Sequence, residues 1–366
     1  MKFILGACFA AIVFMYGLFN PAYNWDIIGY VAASHYNLGV RGEKLRDFTF
    51  QEIKSVVDDK TYAELVSATP YRVTVATNPE SITQQMPFYT IRMAYLFTLK
   101  ITSELLNITF AESTFIVASL FAGLCVAALF IGFNSANSFS LITFPIIILF
   151  SGFPDIARYS TPDTMAAFFA IISFFYFRKI WWIAMVTLTV ATVVRTDFVI
   201  LAGLLGLCAA YRRKLVPALS FLIVPAIAYL LVNRLNANYG YLKILNFTLI
   251  HNDPFPETMS IATTIAPYLK IYGDGFSALL GHRHFLAYIA LVFVWFKNFR
   301  KMQNPVINEN VFIILGFVFL HMLLFPAYYP RFFTWCAALA GLELMRWLSQ
   351  IYFEKKSYKL ASAGNN

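Results

Sequence analysis

Acids and arginines at the ends of apolar runs carry the chemical signal of this chain. Asp26 lies in YNWDIIGYVAASHYNLG, just past the first apolar run. It reads either as an acidic boundary residue or as a carboxylate that deprotonates or orients a hydroxyl. The stretch SGFPDIARYSTPDTMAAFF holds Asp155, Arg158 and Asp163. Ser160 or Thr161 before Pro162 and Asp163 is a good helix start, with a cap, a first-turn proline and an acid at the positive helix end. Asp163 therefore has a structural reading beside a functional one. Arg195 and Asp197 in VVRTDFVIL read as an internal ion pair, or as a phosphate-binding arginine with an orienting acid. Arg331 sits in AYYPRFFTW beside Tyr328 and Tyr329, and Arg283 sits in GHRH between His282 and His284. Two histidines at that spacing suit a metal only on an extended segment, and no carboxylate accompanies them, so no metal is expected.

These residues must be positioned by membrane helices. The 366-residue chain is 59% hydrophobic and 13% charged, with mean hydropathy +0.65. Soluble domains carry about 25% charged residues, so water is the wrong solvent for this composition. The net charge of +9 falls in short clusters at the ends of apolar runs. These are Arg178 and Lys179; Arg212, Arg213 and Lys214; Lys297, Arg300 and Lys301; Lys355 and Lys356. That is the positive-inside pattern, so the charge is read as topology and nucleic acid is not an expected partner. Cys8, Cys125, Cys208 and Cys336 all lie in apolar runs and read as small helical hydrophobes.

The expected fold is an all-α polytopic membrane protein, a single domain over residues 1–350 with a cytoplasmic tail at 351–366. The candidate spans are Phe3–Phe19, Ser113–Phe133, Phe139–Phe153, Asp163–Phe177, Ile180–Val194, Asp197–Tyr211, Leu215–Val232, His284–Phe296, Val311–Pro326 and Phe332–Trp347. Phe88–Leu106 is a weaker one, because it carries Arg92, Lys100 and Glu104. With Lys2 inside, an even number of spans is expected before Asp163. The count does not close on that number, so the total stands at 10 or 11. Two long loops are expected outside. The first spans residues 20–87, with surface-lying amphipathic helices such as Asp47–Lys60. The second spans 233–283 and contains His251, Asp253, Asp274, His282 and Arg283. Arg158, Arg195, Arg283 and Arg331 then all fall on the outer face, where the topology rule disfavours them. Four such residues point to an outward-facing site for an anionic lipid or sugar phosphate.

The order of these features resembles the GT-C superfamily of polyprenyl-phosphate-sugar glycosyltransferases, which includes protein mannosyltransferases and lipid A aminoarabinose transferases. Four segments carry the resemblance. An Asp after the first span leads a Tyr/Ala-rich stretch ending in Gly, here Asp26, Tyr30 and Gly39. Pro87, Phe88 and Tyr89 follow the first loop. Arg158 precedes Pro162 and Asp163 at a mid-chain span. Pro330, Arg331 and Phe332 open the last span. The resemblance implies a sugar donor on a polyprenyl phosphate and an acceptor that is a lipid, glycan or protein. It implies Asp26 as the acceptor-facing carboxylate, although Ile27 stands where that family often has a second acid. It implies Arg158, Arg195, Arg331 and Arg283 as binders of the lipid phosphate, whose charge grows as it leaves. Asp155, Asp163, Asp197, His251, His282 and Tyr329 are supporting candidates. No cofactor is required on this reading. The implied location is a bacterial inner membrane, with the site facing the periplasm. A polymerase or ligase of lipid-linked glycans, a transporter or flippase of an anionic or lipid-linked substrate, and a non-catalytic assembly subunit are the competing readings.

Overall fold

Strong local signals shape the segment expected as the first loop. Asp58 accepts from the backbone N–H groups of Lys60 and Thr61, Thr69 caps a helix that opens on Pro70, and Asn78 caps one that opens on Pro79. Each is a helix start satisfied by its own side chain. In the computed structural model, which describes residues 2–133, 138–301 and 305–363, the chain opens with α1 (Lys2–Phe19). Five helices follow: α2 (Asp26–Asn37), α3 (Gly42–Val56), α4 (Asp59–Ser67), α5 (Pro70–Thr77) and α6 (Pro79–Thr90). Ile27, Val31, Leu45, Ile53, Leu65, Val75, Ile82 and Met86 bury their side chains in the core. Residues 20–87 are therefore a packed helical cap rather than a loop. The expected amphipathic stretch Asp47–Lys60 is split between α3 and α4.

The weak span Phe88–Leu106 is also divided. α6 ends at Thr90, Arg92 leaves helical geometry with φ −89° and ψ 52°, and α7 (Met93–Leu106) begins anew. A capping box of Thr109 and Glu112 then starts α8 (Phe110–Gly132). α8 runs antiparallel to α1: Gly17 packs on Ser119 and Gly123 packs on Ala10 and Phe14. Small residues at both positions let the two backbones approach closely.

The rest of the chain follows as α9 (Ser138–Ser151), α10 (Phe153–Ile156), α11 (Asp163–Tyr176), α12 (Trp181–Val194), α13 (Val199–Tyr211) and α14 (Leu215–Leu235). Then come α15 (Tyr241–Asn246), α16 (Ile265–Gly281), α17 (His284–Lys301), α18 (Pro305–Leu324) and α19 (Pro330–Ala363). Among the described residues the chain is all-helical apart from one isolated bridge between Ala22 and Tyr159. α19 runs unbroken past the expected start of the tail at 351; residues 364–366 lie outside the described residues. By length and composition, α8 and α14 can cross a membrane. α16 with α17 adds a third only if their 82° bend falls within one span. Helices Phe3–Phe19, Asp163–Tyr176, Trp181–Val194 and Thr196–Tyr211 are apolar but shorter.

The two segments expected as outer loops touch each other. Ser81 Oγ donates to Pro254 O, Tyr239 OH donates to Gln84 O, and Phe88 stacks on Phe247 with ring centroids 4.4 Å apart. The C-terminal end of α1 lies beside the segment before α11, because Ala22 N donates to Arg158 O. Passing from an inner Lys2 to an outer Asp163 takes an odd number of crossings, so the even number expected from the sequence is the wrong parity. Of α1, α8 and α9, which precede Asp163, α8 alone is long and apolar enough to cross by itself, while α1 and α9 are shorter apolar helices.

At the end away from the cap, an ionic clasp ties four elements. Glu309 of α18 accepts from Arg178, which follows α11, at 3.0 Å and from Arg212, which follows α13, at 2.6 Å. Arg178 also donates to Asn310, whose amide donates to Glu343 of α19 at 2.6 Å. Arg346 completes the run at 2.9 Å from Glu343. Arg178 and Arg212, expected as free topology anchors, are thus spent on a partly buried carboxylate. The side chains of Arg300, Lys301, Lys355 and Lys356 lie outside the described ones. The Glu309→Ala variant leaves both guanidiniums uncompensated, and a loss of about 3 kcal/mol is expected for such a break. Thermal melting of the purified protein in detergent measures it, and an unchanged midpoint would remove the clasp from the list of stabilising contacts.

Candidate functional site

At the cap end the same helices converge on a second ionic run. Asp163 is the first residue of α11, with Pro162 at the cap position, and Thr161 Oγ1 donates to Asp163 Oδ2 at 2.7 Å. The helix-start reading of SGFPDIARYSTPD is right in place but shifted in role: the threonine holds the acid rather than the backbone. Arg195 stands in extended backbone between α12 and the single 3₁₀ turn Thr196–Phe198 that leads into α13. This geometry lets its guanidinium reach Asp163 on one side and Asp197 on the other, the latter through paired bonds of 2.8 and 3.1 Å. Asp197 Oδ2 also meets His321 Nε2 of α18 at 3.1 Å. Arg331, in the first turn of α19, places Nε 3.4 Å from Asp163 Oδ2 and donates from Nη1 to Asp26 Oδ2 at 2.6 Å.

The order along the run is Asp26, Arg331, Asp163, Arg195, Asp197, His321. Three carboxylates face two guanidiniums and one imidazole, and acids alternate with nitrogen groups along the whole length. Buried charges persist only when paired in this way. The Phe332 ring lies between the two arginines, 3.9 Å from the Arg195 guanidinium and 5.3 Å from that of Arg331. Cation–π contact adds to the hold on both.

Asp163 is the buried centre of the run, with 3% of its side chain exposed, whereas Asp26 at its end is 23% exposed. Asp26 opens α2, so its charge also meets the positive helix end. Asn24 Nδ2 donates to the same oxygen, Oδ2, at 2.7 Å. Both side-chain donors that Asp26 receives among the described residues therefore fall on Oδ2, and Oδ1 is left for another partner. Trp25, Tyr30, Tyr71 and Tyr89 line this corner: Tyr30 meets Tyr89 edge-on at 5.2 Å, and Trp25 meets Tyr71 at 5.6 Å. Burial pushes the Tyr71 phenol above its ordinary range; burial and then the Asp26 charge do the same for Tyr89. Both phenols stay protonated at neutral pH. Arg92 Nε, Tyr95 OH, Ser160 Oγ and Thr164 Oγ1 are buried without a protein partner. Tyr95 lies on α7 and Thr164 on α11, while Arg92 and Ser160 lie in the segments that lead into them.

A second cluster forms where α10 meets the elbow between α16 and α17. Arg283 Nη2 donates to Asp155 Oδ2 at 3.0 Å, with both side chains about half exposed. Arg158 is half-buried, donates from Nε to Asn20 O, and lies 5.7 Å from the Tyr16 ring. Among the described residues no carboxylate pairs with Arg158. His284 is fully buried, with Nδ1 at 2.8 Å from Tyr328 OH and Nε2 at 3.0 Å from Ser151 O. Both its ring nitrogens are engaged, which leaves the His282–His284 pair unsuited to a metal.

The structure thus joins Asp26, Asp163, Arg195, Asp197 and Arg331 in one run, and Asp155, Arg283 and Arg158 around α10. Tyr329 is exposed and lies 5.9 Å from the Arg331 guanidinium. His282 sits against His284 at a centroid distance of 4.2 Å. His251 is exposed at the end of the turn Phe247–His251 and joins neither cluster. Sequence reasoning missed His321 and Asn24. An imidazole inside the apolar run Val311–Pro326 was the available signal for the first; an Asn two residues before Asp26 was the signal for the second.

The run predicts unequal costs for removing its central acid and the acid at its open end. Asp163→Asn removes one of the two carboxylates that Arg195 and Arg331 each face, leaving Asp197 to the first and Asp26 to the second, and should cost about 3 kcal/mol. Asp26→Asn, at the open end, should cost less than half of that. Paired melting curves in one detergent check the order, and equal losses would deny Asp163 its central place.

No family model matches this chain, no curated protein is similar to it, and no solved structure resembles it.

Proposed function

We propose that the chain is a multi-pass membrane glycosyltransferase that moves a sugar from a polyprenyl-phosphate donor to a hydroxyl acceptor at the extracytoplasmic face. The short apolar helices are read as spans along with α8, α14 and α17, ten crossings in all: α1, α8, α9, α11, α12, α13, α14, α17, α18 and α19. The ionic clasp around Glu309 then faces the cytoplasm with Arg213 and Lys214, in keeping with the positive-inside rule. The cap and the Asp26 run face outward, on the inner membrane of a bacterial envelope.

The observation that carries the reading is the state of Asp26. Its Oδ2 is held by Arg331 and Asn24, and its Oδ1 is free of the protein at the cap–membrane junction. A carboxylate fixed by one oxygen and open at the other suits a general base. In the proposed step Oδ1 takes the proton of the acceptor hydroxyl. The acceptor oxygen bonds to the sugar C1, and the bond from C1 to the phosphate oxygen breaks. The lipid phosphate leaves with that electron pair. Arg158, which lacks a carboxylate partner, and Arg283, which has one at the half-exposed surface, are placed to meet the phosphate charge. Arg195 and Arg331 already face carboxylates, and in this proposal they position Asp26 rather than bind phosphate.

A second reading rests on a different observation. An ionic run with a buried imidazole inside an apolar layer, beside a sharply broken helix pair, also occurs in transporters. Counterflow of labelled lipid-linked sugar in proteoliposomes, with no sugar released from its lipid, would favour that reading.

Asp26→Asn should lower sugar transfer by about 10²–10⁴-fold while the protein still inserts and folds, with a smaller drop in melting than Asp163→Asn. Release of polyprenyl phosphate from a panel of lipid-linked monosaccharides is the measurement, and parental turnover would eliminate Asp26 as the base. Arg158→Gln should reduce kcat/KM for the donor by about 10²-fold. An unchanged donor dependence would move the phosphate site elsewhere.

A further inference from the structure

The faces of α16 divide into three. Pro267, Tyr268, Ile271, Gly275 and Leu279 lie against the protein, and a Cβ at Gly275 would collide with the Pro326 carbonyl. Ile265, Leu269, Tyr272, Phe276 and Leu280 form an exposed stripe at helical spacing, with Ile265 72% and Leu269 63% exposed. Lys270, Asp274 and Ser277 form a third, polar face that is also exposed. At 100° per residue the apolar stripe is flanked by the protein-facing arc on one side and the polar arc on the other.

We propose that α16 lies in the plane of the membrane surface, with this stripe covered by the acyl-chain region of the lipid leaflet on the cap side. The occupant follows from continuity. Past the 82° elbow, α17 exposes Leu286, Ile289, Phe293 and Phe296 at the same helical spacing, and the apolar surface passes from one helix to the other. The depth follows from anchoring: Tyr272 OH donates to Leu323 O and Tyr241 OH to Leu324 O, both at the end of α18. A helix crossing the bilayer would carry Lys270 and Asp274 into hydrocarbon at several kcal/mol each. Turned into the surface plane, it keeps both in water and the stripe in lipid, which is the arrangement of an interfacial amphipathic helix. The elbow then holds Arg283 at headgroup level. This inference does not depend on the proposed sugar transfer.

Single nitroxide labels at Leu269, Phe276, Lys270 and Asp274, each in a Cys8→Ser background and reconstituted into phosphatidylglycerol/phosphatidylethanolamine vesicles, test it. Collision with oxygen and with a water-soluble nickel chelate reports depth. The labels at Leu269 and Phe276 should sit about 5–10 Å below the phosphates, shielded from the chelate, with those at Lys270 and Asp274 several-fold more accessible to it. Equal chelate access at all four sites would overturn the proposal. So would a depth that changes steadily in chain order from Leu269 through Asp274 to Phe276, as for a span, or spin–spin broadening between copies at the stripe. Melting of each unlabelled variant identifies any that fails to fold, and Ile265 then replaces Leu269 as the stripe position.

Discussion

The Asp163 carboxylate is the constraint on which the cap end of the molecule depends. It is almost wholly buried, and it takes Arg195 from the α12–α13 link and Arg331 from α19. A carboxylate so placed is stable only with its partners present, and each guanidinium is stable only with the carboxylate. The pairing therefore fixes three elements that are distant in sequence. It also fixes Asp26 indirectly, since Arg331 reaches Asp26 with Nη1 while its Nε faces Asp163. Guanidinium planarity makes this a rigid fork. A lysine at 331 could meet one acid or the other as a point charge, but could not hold the two at a set angle.

The clasp around Glu309 answers this run at the opposite end of the same helices. Asp163 to Arg178 spans fifteen residues along α11, about 22 Å of helix, and Glu309 to His321 spans twelve along α18, about 18 Å. Between the two layers the helices are apolar. Both layers are closed by pairing between buried or partly buried groups rather than by solvation. At thirteen or fourteen residues, α11, α12 and α13 are apolar but short, about 20 Å against a hydrocarbon core about 30 Å thick. On the proposed ten crossings, their tied polar ends would lie at or inside its edges.

The sequence made the helices legible because apolar runs and basic clusters are local. It made the start of α11 legible for the same reason: Thr161, Pro162 and Asp163 act on one another within a turn. The cap was not legible. Its helices are amphipathic and short, and only burial of Leu45, Ile53 and Ile82 against one another distinguishes them from loop. The pairing of Asp26 with Arg331 was not legible either, because 305 residues separate them. Single-sequence reasoning could place both at the same face, but could not say that one holds the other. The same holds for Arg178 and Arg212: as a basic signal they mark a face, while Glu309, the residue that makes them structural, lies far along the chain.

The division among the outer arginines follows from charge balance alone. Arg195 has two carboxylates within reach and Arg331 has two. A phosphate approaching either would meet the field of those acids as well as that of the guanidinium, and at close range in a poorly solvated site the repulsion is not screened. Arg283 has one acid at the half-exposed surface, where water weakens it, and Arg158 has none among the described residues. Moving from the buried centre of the Asp163 run outward to α10, the local balance shifts from acid-rich to base-rich. Under the proposed sugar transfer, an anionic leaving group would be repelled by the first and attracted by the second, while the acceptor hydroxyl would need a free carboxylate oxygen such as Asp26 Oδ1. The two requirements of that proposal are opposite in sign, and they would be met by separate groups of residues.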